Sequence, residues 1–332
     1  MRWTRYVVTA VLAAVILLCA AAGWLWHAIY ANRGLPATTT QVVIERGSTL
    51  GDAARKLVAE GVINNVLTFR LLARLRGQES EVRAGEYRFT AHLTQSEVLR
   101  AIVTGGSQVA AWVTIPEGFT AAQIAERLQK AGVGPAAAFS RNFVQQRLLV
   151  DGTRTRSLEG FLFPSTYLVP LGASPQEVAS PMVAEFFKQL PRGARQRSRA
   201  LRVTVPQAVT VASLVEREAK SEIDRPRIAE VIYNRLRLGM PLQIDASIEY
   251  ALPRHKSRLS FEDLKVDSPY NTYQRVGLPP TPIANPGRPS LEAALYPSKG
   301  QDLYYVYCGK GRHVFATTLA EHQANVARCL GS

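Results

Sequence analysis

The sequence is poor in the residues that build metal centres and disulfide frameworks. Its 332 residues include three cysteines and five histidines, and these do not recur at the short spacings that metal sites need. It has no glycine-rich phosphate loop and no G-x-S-x-G nucleophile elbow. We therefore expect no metal and no cofactor, and we look for chemistry among carboxylates, amides, hydroxyls and aromatic rings.

Two of the three cysteines, Cys308 and Cys329, lie in the same C-terminal segment, whereas Cys19 lies in an apolar N-terminal run. In an oxidising compartment the C-terminal pair could form a disulfide. Two cysteines do not make a disulfide framework, so the sequence leaves this bond open.

Acidic residues are also scarce: 26 carboxylates face 40 Lys and Arg, which gives a net charge of +14. The basic residues are scattered, with no dense run and no recognisable nucleic-acid module, so we expect no nucleic-acid partner. The charge fits anionic lipid headgroups or an anionic polymer, or simply solvated arginines.

The longest apolar run extends from Tyr6 to Trp26 and is long enough to span a bilayer. The short segment before it carries Arg2 and Arg5, which predicts a cytoplasmic N-terminus. A cleaved signal peptide is the alternative, since Ala20-Ala21-Ala22 offers small residues for cleavage. We expect an uncleaved anchor, because the run continues through Trp24 to Trp26, which suit a membrane interface.

A strand-helix unit occurs twice, 71 residues apart. Each copy reads as a strand, a Gly turn, a Thr at the helix N-cap, an amphipathic helix and a Gly at its end. The first copy has Ile44, Gly47, Thr49, Ala54, Leu57, Gly61 and Val62, and the second has Ile115, Gly118, Thr120, Ala125, Leu128, Gly132 and Val133. Between them we predict a helix over 64–76, a strand over 85–89 and a capped helix over 94–103.

The later part of the chain has two strong helical patterns, at 206–221 and 226–238, followed by a proline-rich stretch over 239–300 with little helical periodicity. Long ordered loops beside helices tend to build sites. In the C-terminal segment the sequence predicts a strand at 304–307, a turn at 309–311, a strand at 313–315 and a helix over 318–330.

Two glutamates, Glu216 and Glu218, lie in the first of these helices, in an apolar and basic context. Residues two apart on a helix point roughly 200° away from each other, so we expect only one of them to face a cleft. Glu216 has Lys220 at i+4, which favours its charged form. Glu218 has an apolar flank and Glu222 at i+4, which raise a carboxyl pKa and suit a general acid. Both could also be ordinary boundary glutamates.

The loops that follow supply amides, hydroxyls and aromatic faces, which is the set of groups that a sugar-binding cleft uses. The segments are Tyr233-Asn-Arg-Leu236, Leu242-Gln-Ile-Asp245, Ser268-Pro-Tyr-Asn-Thr-Tyr273 and Gly277-Leu-Pro-Pro280. Asp245 could serve as a second carboxylate, although Asp in a loop is more often a turn former. His313 and His322 read as lone turn or capping partners.

Seven motifs, in one order along the chain, resemble the YceG-like family of endolytic murein transglycosylases. They are Ala212-Ser-Leu-Val-Glu-Arg-Glu218, Val231-Ile-Tyr-Asn-Arg-Leu236, Gly239-Met-Pro-Leu-Gln243 with Asp245, Ser268-Pro-Tyr-Asn-Thr-Tyr273, Gly277-Leu-Pro-Pro280, Ile283-Ala-Asn-Pro-Gly287, and His313-Val-Phe315 with Glu321-His322. The resemblance covers nearly the whole chain and includes an N-terminal anchor and a LysM-like domain.

The resemblance implies a lytic transglycosylase in which Glu218 acts alone as acid and then base, cutting between N-acetylmuramic acid and N-acetylglucosamine to leave a 1,6-anhydro end. It implies that Glu216 and Asn234 support the site, and that the substrate-binding residues are Gln243, Asp245, Tyr270, Asn271 and Tyr273. It further implies action on nascent strands at the inner membrane, on the periplasmic side, beside peptidoglycan synthases such as penicillin-binding proteins. The alternatives are a water-using muramidase acting through Asp245 and a non-catalytic, membrane-anchored wall-binding scaffold.

The expected fold class is α+β in three parts. An N-terminal transmembrane helix precedes a small LysM-like α+β domain and a larger mixed α+β catalytic domain with a loop-built cleft. In residue numbers, we expect a cytoplasmic N-terminus at 1–5, the transmembrane helix at 6–28, a linker at 29–39, the LysM-like domain at 40–108 and the catalytic domain at 109–332.

The anchor can be tested by N-terminal sequencing of the protein extracted from membranes. An uncleaved helix retains the residues before the apolar run. A mature N-terminus near residue 23 would instead identify a cleaved signal peptide.

Overall fold

A computed structural model describes residues 13–17, 19–20, 23, 27, 39–45, 47–89, 93–105, 109–252, 256 and 258–331. Most of the predicted transmembrane helix, all of residues 1–5 and nearly all of the linker lie outside these residues. Within the described part of the chain, no helix is both long enough and apolar enough to cross a membrane.

The chain forms two compact units. The first contains Met1–Ala111 together with Leu168–Ala173, and the second contains Trp112–Tyr167 and Ser174–Ser332. Helices and short antiparallel sheets occur together, so the expected mixed α+β class is confirmed. The sequence did not predict that Leu168–Ala173 groups with the first unit.

The first unit is built on the antiparallel pair β1 (Thr40–Ile44) and β2 (Gly85–Phe89), in which Val42 faces Tyr87. Alternate residues of both strands point into an apolar core. Three helices, α1 (Leu50–Ala59), α2 (Val66–Leu75) and α3 (Gln95–Thr104), supply the rest of that core.

The strand-helix repeat is confirmed at the level of its local signals. In both copies a threonine, Thr49 or Thr120, begins the helix with a reciprocal capping box, α1 in the first copy and α4 (Ala121–Lys130) in the second. Both Gly47 and Gly118 have positive φ, which explains why each turn before the helix uses glycine. The second copy begins with β3 (Ala110–Thr114).

The second unit continues with short elements that lead to its central helices. These are α5 (Ala136–Gln145), β4 (Leu149–Val150), β5 (Thr153–Arg154), α6 (Pro175–Gln189) and α7 (Ala194–Ala200). Strand β6 (Thr166–Pro170) is divided between the units, because its residues from Leu168 onward belong to the first. Strand β4 pairs with β5, and β3 pairs with β6.

Helix α8 (Val205–Glu218) is the most buried helix segment of the second unit. Thr204 caps it with Gln207, and Pro206 lies in its first turn, where a missing N–H does no harm. Every residue from Ala208 to Val215 is buried, and the helix packs against α9 (Arg225–Leu238) and α11 (Arg288–Leu295). Its valines disfavour an isolated helix, so burial on several sides stabilises it.

The sequence prediction extended this helix to residue 221, and that is wrong. Glu218 is its last residue, and Ala219 has an extended conformation. The predicted loop region 239–300 also contains two helices, α10 (Asp245–Ala251) and α11, and a 3₁₀ turn at Asp263–Lys265. These helices are short, so their periodicity was too brief to detect.

The C-terminal elements match the prediction. Strands β7 (Tyr304–Tyr307) and β8 (His313–Ala316) form an antiparallel hairpin, and α12 (Leu319–Leu330) follows. A disulfide joins Cys308 to Cys329, which settles the pairing that the sequence left open. It ties the end of α12 to the turn of the hairpin.

Removing this disulfide tests its contribution to stability. Because the bond closes a segment with a sequence separation of 21, we expect Cys308→Ser with Cys329→Ser to reduce the free energy of unfolding by about 3 kcal/mol. Denaturant unfolding with and without a thiol reductant measures the difference. Cys19→Ser, at an unpaired and exposed cysteine, is the control and should change nothing. An unchanged midpoint for the double variant would contradict the prediction.

Candidate active site

A cleft with a volume of about 770 Å³ lies at the C-terminal end of α8. Its walls come from the end of α8, the start of α10 and the β7–β8 hairpin. Three of the predicted substrate-binding residues line it together with Glu218, namely Gln243, Asp245 and Tyr273. The cleft therefore gathers residues of the second unit that lie far apart in the sequence.

Glu218 ends α8 and reaches into this cleft. Its Oε2 accepts a hydrogen bond from the Tyr305 hydroxyl at 3.0 Å, and the backbone N–H of Ala246 also donates to the carboxylate. Burial raises the pKa of Glu218 to about 7, and the charge of Asp245 adds to the rise, while the two hydrogen bonds and Lys220 oppose it. A large fraction of Glu218 therefore holds a proton at neutral pH.

The sequence had suggested that the like charge of Glu222 raises this pKa. In the structure the like charge comes from Asp245 instead. Because α8 ends at Glu218, Glu222 is not one helical turn further along the same helix. Asp245 begins α10, and its Oδ1 accepts a hydrogen bond from the Tyr273 hydroxyl. Tyr273 thereby fixes the second carboxylate of the cleft in place.

Gln243 has a backbone conformation that non-glycine residues rarely adopt, with φ of 55°. Its N–H donates to Thr272 O at 3.0 Å, and its Oε1 accepts from Arg235 Nη1 at 3.1 Å. Strained backbone held by its surroundings is common at functional sites. Gln243 is thus held in one orientation at the edge of the cleft.

Arg235 is a cleft residue to which the sequence assigned no role. It is 7% exposed, and its guanidinium donates to Leu303 O at 2.7 Å and Leu242 O at 2.9 Å. This one side chain therefore joins the Gln243 segment to the strand that carries Tyr305. Only its position inside a recognised motif could have pointed to it.

Glu216 also lines the cleft, contrary to the expectation that only one glutamate of the pair could do so. The cleft surrounds the end of the helix, so both sides of the last turn contribute to its wall. Glu216 pairs with Arg225 at 3.3 Å and accepts from Gly287 N at 3.0 Å. The prediction that Lys220 is the partner of Glu216 is wrong, because the helix ends before Lys220.

Tyr270, Asn271 and Asn234 do not line the cleft, and each has a structural contact instead. The Tyr270 hydroxyl is 2.8 Å from Thr281 Oγ1. Asn271 is 1% exposed and donates to Leu264 O at 3.0 Å and Val266 O at 2.8 Å, and Asn234 donates to Asp302 O at 2.9 Å. They stabilise the loops from which Tyr273 and β7 extend.

The two histidines also have defined places at the cleft. His313 is 3.0 Å from Asp224 through Nδ1 and meets the Tyr305 ring edge to face. His322 stacks on Tyr304 with ring centroids 5.1 Å apart. Both side chains line the cleft, a position that the sequence did not predict.

A second buried carboxyl, Glu159, lies outside the cleft. It accepts hydrogen bonds from Ala121 N at 2.9 Å, Asn285 Nδ2 at 3.0 Å and Tyr250 OH at 3.2 Å. Burial raises the pKa of Glu159 to about 7, although these hydrogen bonds oppose the rise. Glu159 joins the start of α4 to two other segments, which is a structural task.

The cleft can donate a proton at neutral pH beside a second, fixed carboxylate. Within the described residues, no group of three or more His, Cys, Asp or Glu side chains could hold a metal ion. The chemistry that this arrangement supports directly is acid-base catalysis by Glu218.

Comparison with known proteins places this geometry in context. The sequence matches the YceG-like family over residues 42–328. It is 32% identical over 308 residues to the endolytic murein transglycosylase of Bacillus subtilis strain 168, covering 86% of this chain and 83% of that protein. It is 29% identical over 324 residues to the protein of that name from Streptococcus pneumoniae D39, covering 88% of this chain and 58% of that protein.

The fold is also similar to that of a solved structure. The crystal structure of a YceG-like protein from Listeria monocytogenes matches with a TM-score of 0.58 at 31% sequence identity. The match covers 86% of this chain and 98% of that one.

The electrostatics of Glu218 can be tested by NMR titration of ¹³C-labelled glutamate carboxyls. Asp245→Asn removes a negative charge and should lower the pKa of Glu218 below about 7. Tyr305→Phe removes a hydrogen bond that favours the charged form and should raise this pKa. Glu222→Gln is the control and should have a smaller effect than either. Shifts of the same sign in the first two variants would contradict this account.

Proposed function

The chain belongs to the YceG-like family, and from that premise we propose that it is an endolytic murein transglycosylase, a lyase that cuts peptidoglycan strands internally without adding water. The observation that carries the proposal is Glu218, a carboxyl with a pKa of about 7 in a cleft lined by amide, hydroxyl and aromatic groups. A cleft of this composition suits a sugar chain.

The reaction uses Glu218 twice. The protonated carboxyl first gives its proton to the glycosidic oxygen between N-acetylmuramic acid and N-acetylglucosamine, and the bond from that oxygen to the muramyl C1 breaks. The carboxylate then takes the proton of the muramyl 6-hydroxyl, and the oxygen of that hydroxyl bonds to C1. The products are a free 4-hydroxyl and a 1,6-anhydro ring, and Glu218 has regained its proton.

The other cleft residues position the sugar in this proposal. Gln243 and Tyr273 have side chains suited to bind hydroxyl and acetamido groups, and Asp245 raises the pKa of Glu218. Tyr305 and Ala246 donate to the carboxylate, which also stabilises the charged form of Glu218 between the two steps. Glu216, Tyr270, Asn271 and Asn234 support the walls.

A water-using muramidase is the second candidate, and Asp245 is the observation that favours it. Glycosidases that add water need a second carboxylate near the acid, and Asp245 is close enough to affect the pKa of Glu218. Tyr273 donates to Asp245 and restricts it to one orientation. The products distinguish the two reactions, because only the hydrolase leaves a reducing end.

The place of action is part of the proposal. The apolar run from Tyr6 to Trp26 supports a single-pass anchor in the inner membrane, with the remaining chain in the periplasm. We propose that the first unit is a LysM-like, glycan-binding module and that the enzyme ends nascent strands beside peptidoglycan synthases. The disulfide between Cys308 and Cys329 supports an oxidising compartment.

Product analysis tests the function directly. We expect uncross-linked murein strands treated with the full-length protein to yield internal fragments whose muramyl ends are one water lighter than reducing ends by mass spectrometry. Glu218→Gln cannot donate the proton and should reduce the rate by at least about a hundredfold.

Glu222→Gln is the matched control, since it makes the same substitution at an exposed residue four positions away, and it should retain full activity. Reducing ends in place of anhydro ends would establish the muramidase. If the wild-type protein cut no strand but still bound glycan, a wall-binding scaffold would be the correct description.

A further inference from the structure

A second cavity of about 610 Å³ lies in the same unit, away from Glu218. The Gly277-Leu-Pro-Pro280 loop, which the sequence predicted to be part of the sugar cleft, lines this cavity instead. The other walls are the 153–157 segment and the first turns of α8. None of the residues assigned to the chemistry contributes to it.

Helix α8 relates this cavity to the catalytic cleft. Gln207 lines the second cavity and Glu218 lines the cleft. They are eleven residues apart on one helix, which corresponds to about 16 Å along the axis and about 20° around it. The two cavities therefore adjoin α8 near its opposite ends.

The charge of the second cavity is entirely positive. Arg154 and Arg156 line it, and both are exposed. Among the described residues, neither guanidinium has an ion-pair or side-chain hydrogen-bond partner, and no Asp or Glu lines the cavity. The nearby Asp151 is already paired with Arg195 at 2.7 Å. Two free guanidinium groups are thus available to a ligand.

The remaining lining is a mixture of apolar side chains and uncharged polar ones. Phe161, Val203, Leu278 and the prolines give an apolar floor. Thr204 and Gln207 form the capping box of α8, and Thr210 bonds to Pro206 O. A carboxylate would find the two arginines, whose planar forks match carboxylate geometry.

We propose that the second cavity binds the carboxylate-bearing peptide that murein strands carry on their muramyl residues. This inference rests on the proposed function, because it assumes a murein substrate. A fully extended peptide of five residues reaches about 17 Å, which matches the separation of the two cavities along α8. The cavity would select strands that still have their peptides.

Two forms of one substrate test this proposal. Uncross-linked strands with their peptides are compared with the same strands after an amidase has removed the peptides. The wild-type protein should cleave peptide-bearing strands with the higher kcat/KM. Arg154→Ala with Arg156→Ala should reduce kcat/KM on peptide-bearing strands by about tenfold or more and leave cleavage of peptide-free strands unchanged.

The matched control removes two charges from exposed arginines of the same unit that line neither cavity. Arg141→Ala with Arg199→Ala should keep the wild-type preference. A second measurement avoids turnover. Glu218→Gln should bind a disaccharide-pentapeptide more tightly than the peptide-free disaccharide, and the Arg154/Arg156 substitutions should abolish this difference.

Three results would overturn the proposal. The first is a wild-type protein that cleaves both substrates equally. The second is a loss of the same size on both substrates in the Arg154/Arg156 variant, which would show a general effect on folding or charge. The third is an unchanged preference in that variant. A wild-type protein that cleaves neither substrate would refute the proposed function itself and this inference with it.

Discussion

The hydrogen bond from Tyr305 to Glu218 is the contact on which the cleft depends. It joins the last residue of the most buried helix to the C-terminal hairpin and gives a buried carboxyl a neutral partner. Glu216, two residues earlier, has a cationic partner in Arg225. A hydrogen bond from a neutral donor lowers the pKa of Glu218 by less than burial raises it, so this pKa is about 7. The two glutamates of the last turn therefore have partners of different charge.

Helix α8 also organises the unit on a larger scale. Its central residues are buried, and the two cavities described above open near its two ends. Because a helix buried on several sides is rigid, the positions at its ends are fixed relative to each other. One end has the acid, and the other end contributes to a cavity with two unpaired arginines. A long polymeric substrate could contact both at once.

Local signals made much of the fold predictable. The two capping threonines and the two positive-φ glycines of the repeat act within a few residues, so Thr49 and Thr120 gave the correct helix starts. Site prediction was weaker. Gln243, Asp245 and Tyr273 reach the cleft, whereas Tyr270 bonds to Thr281 and Asn271 bonds to Leu264. Neighbouring loop residues point in directions that the backbone decides, and sequence proximity does not reveal them.

The sequence by itself determined the α+β class, the position of the acidic pair and the family, because periodicity, caps and motif order are properties of the chain. Tertiary structure alone decided where α8 ends, since no Gly or Pro follows Glu218 to stop it. It also decided that Asp245 and not Glu222 is the nearby charge, that Arg235 is a cleft residue, and that the Gly277-Leu-Pro-Pro280 loop lines a different cavity. These features depend on contacts between segments far apart in the chain. The effect of one charge on the pKa of another group depends on their distance in space and not on their separation in the sequence.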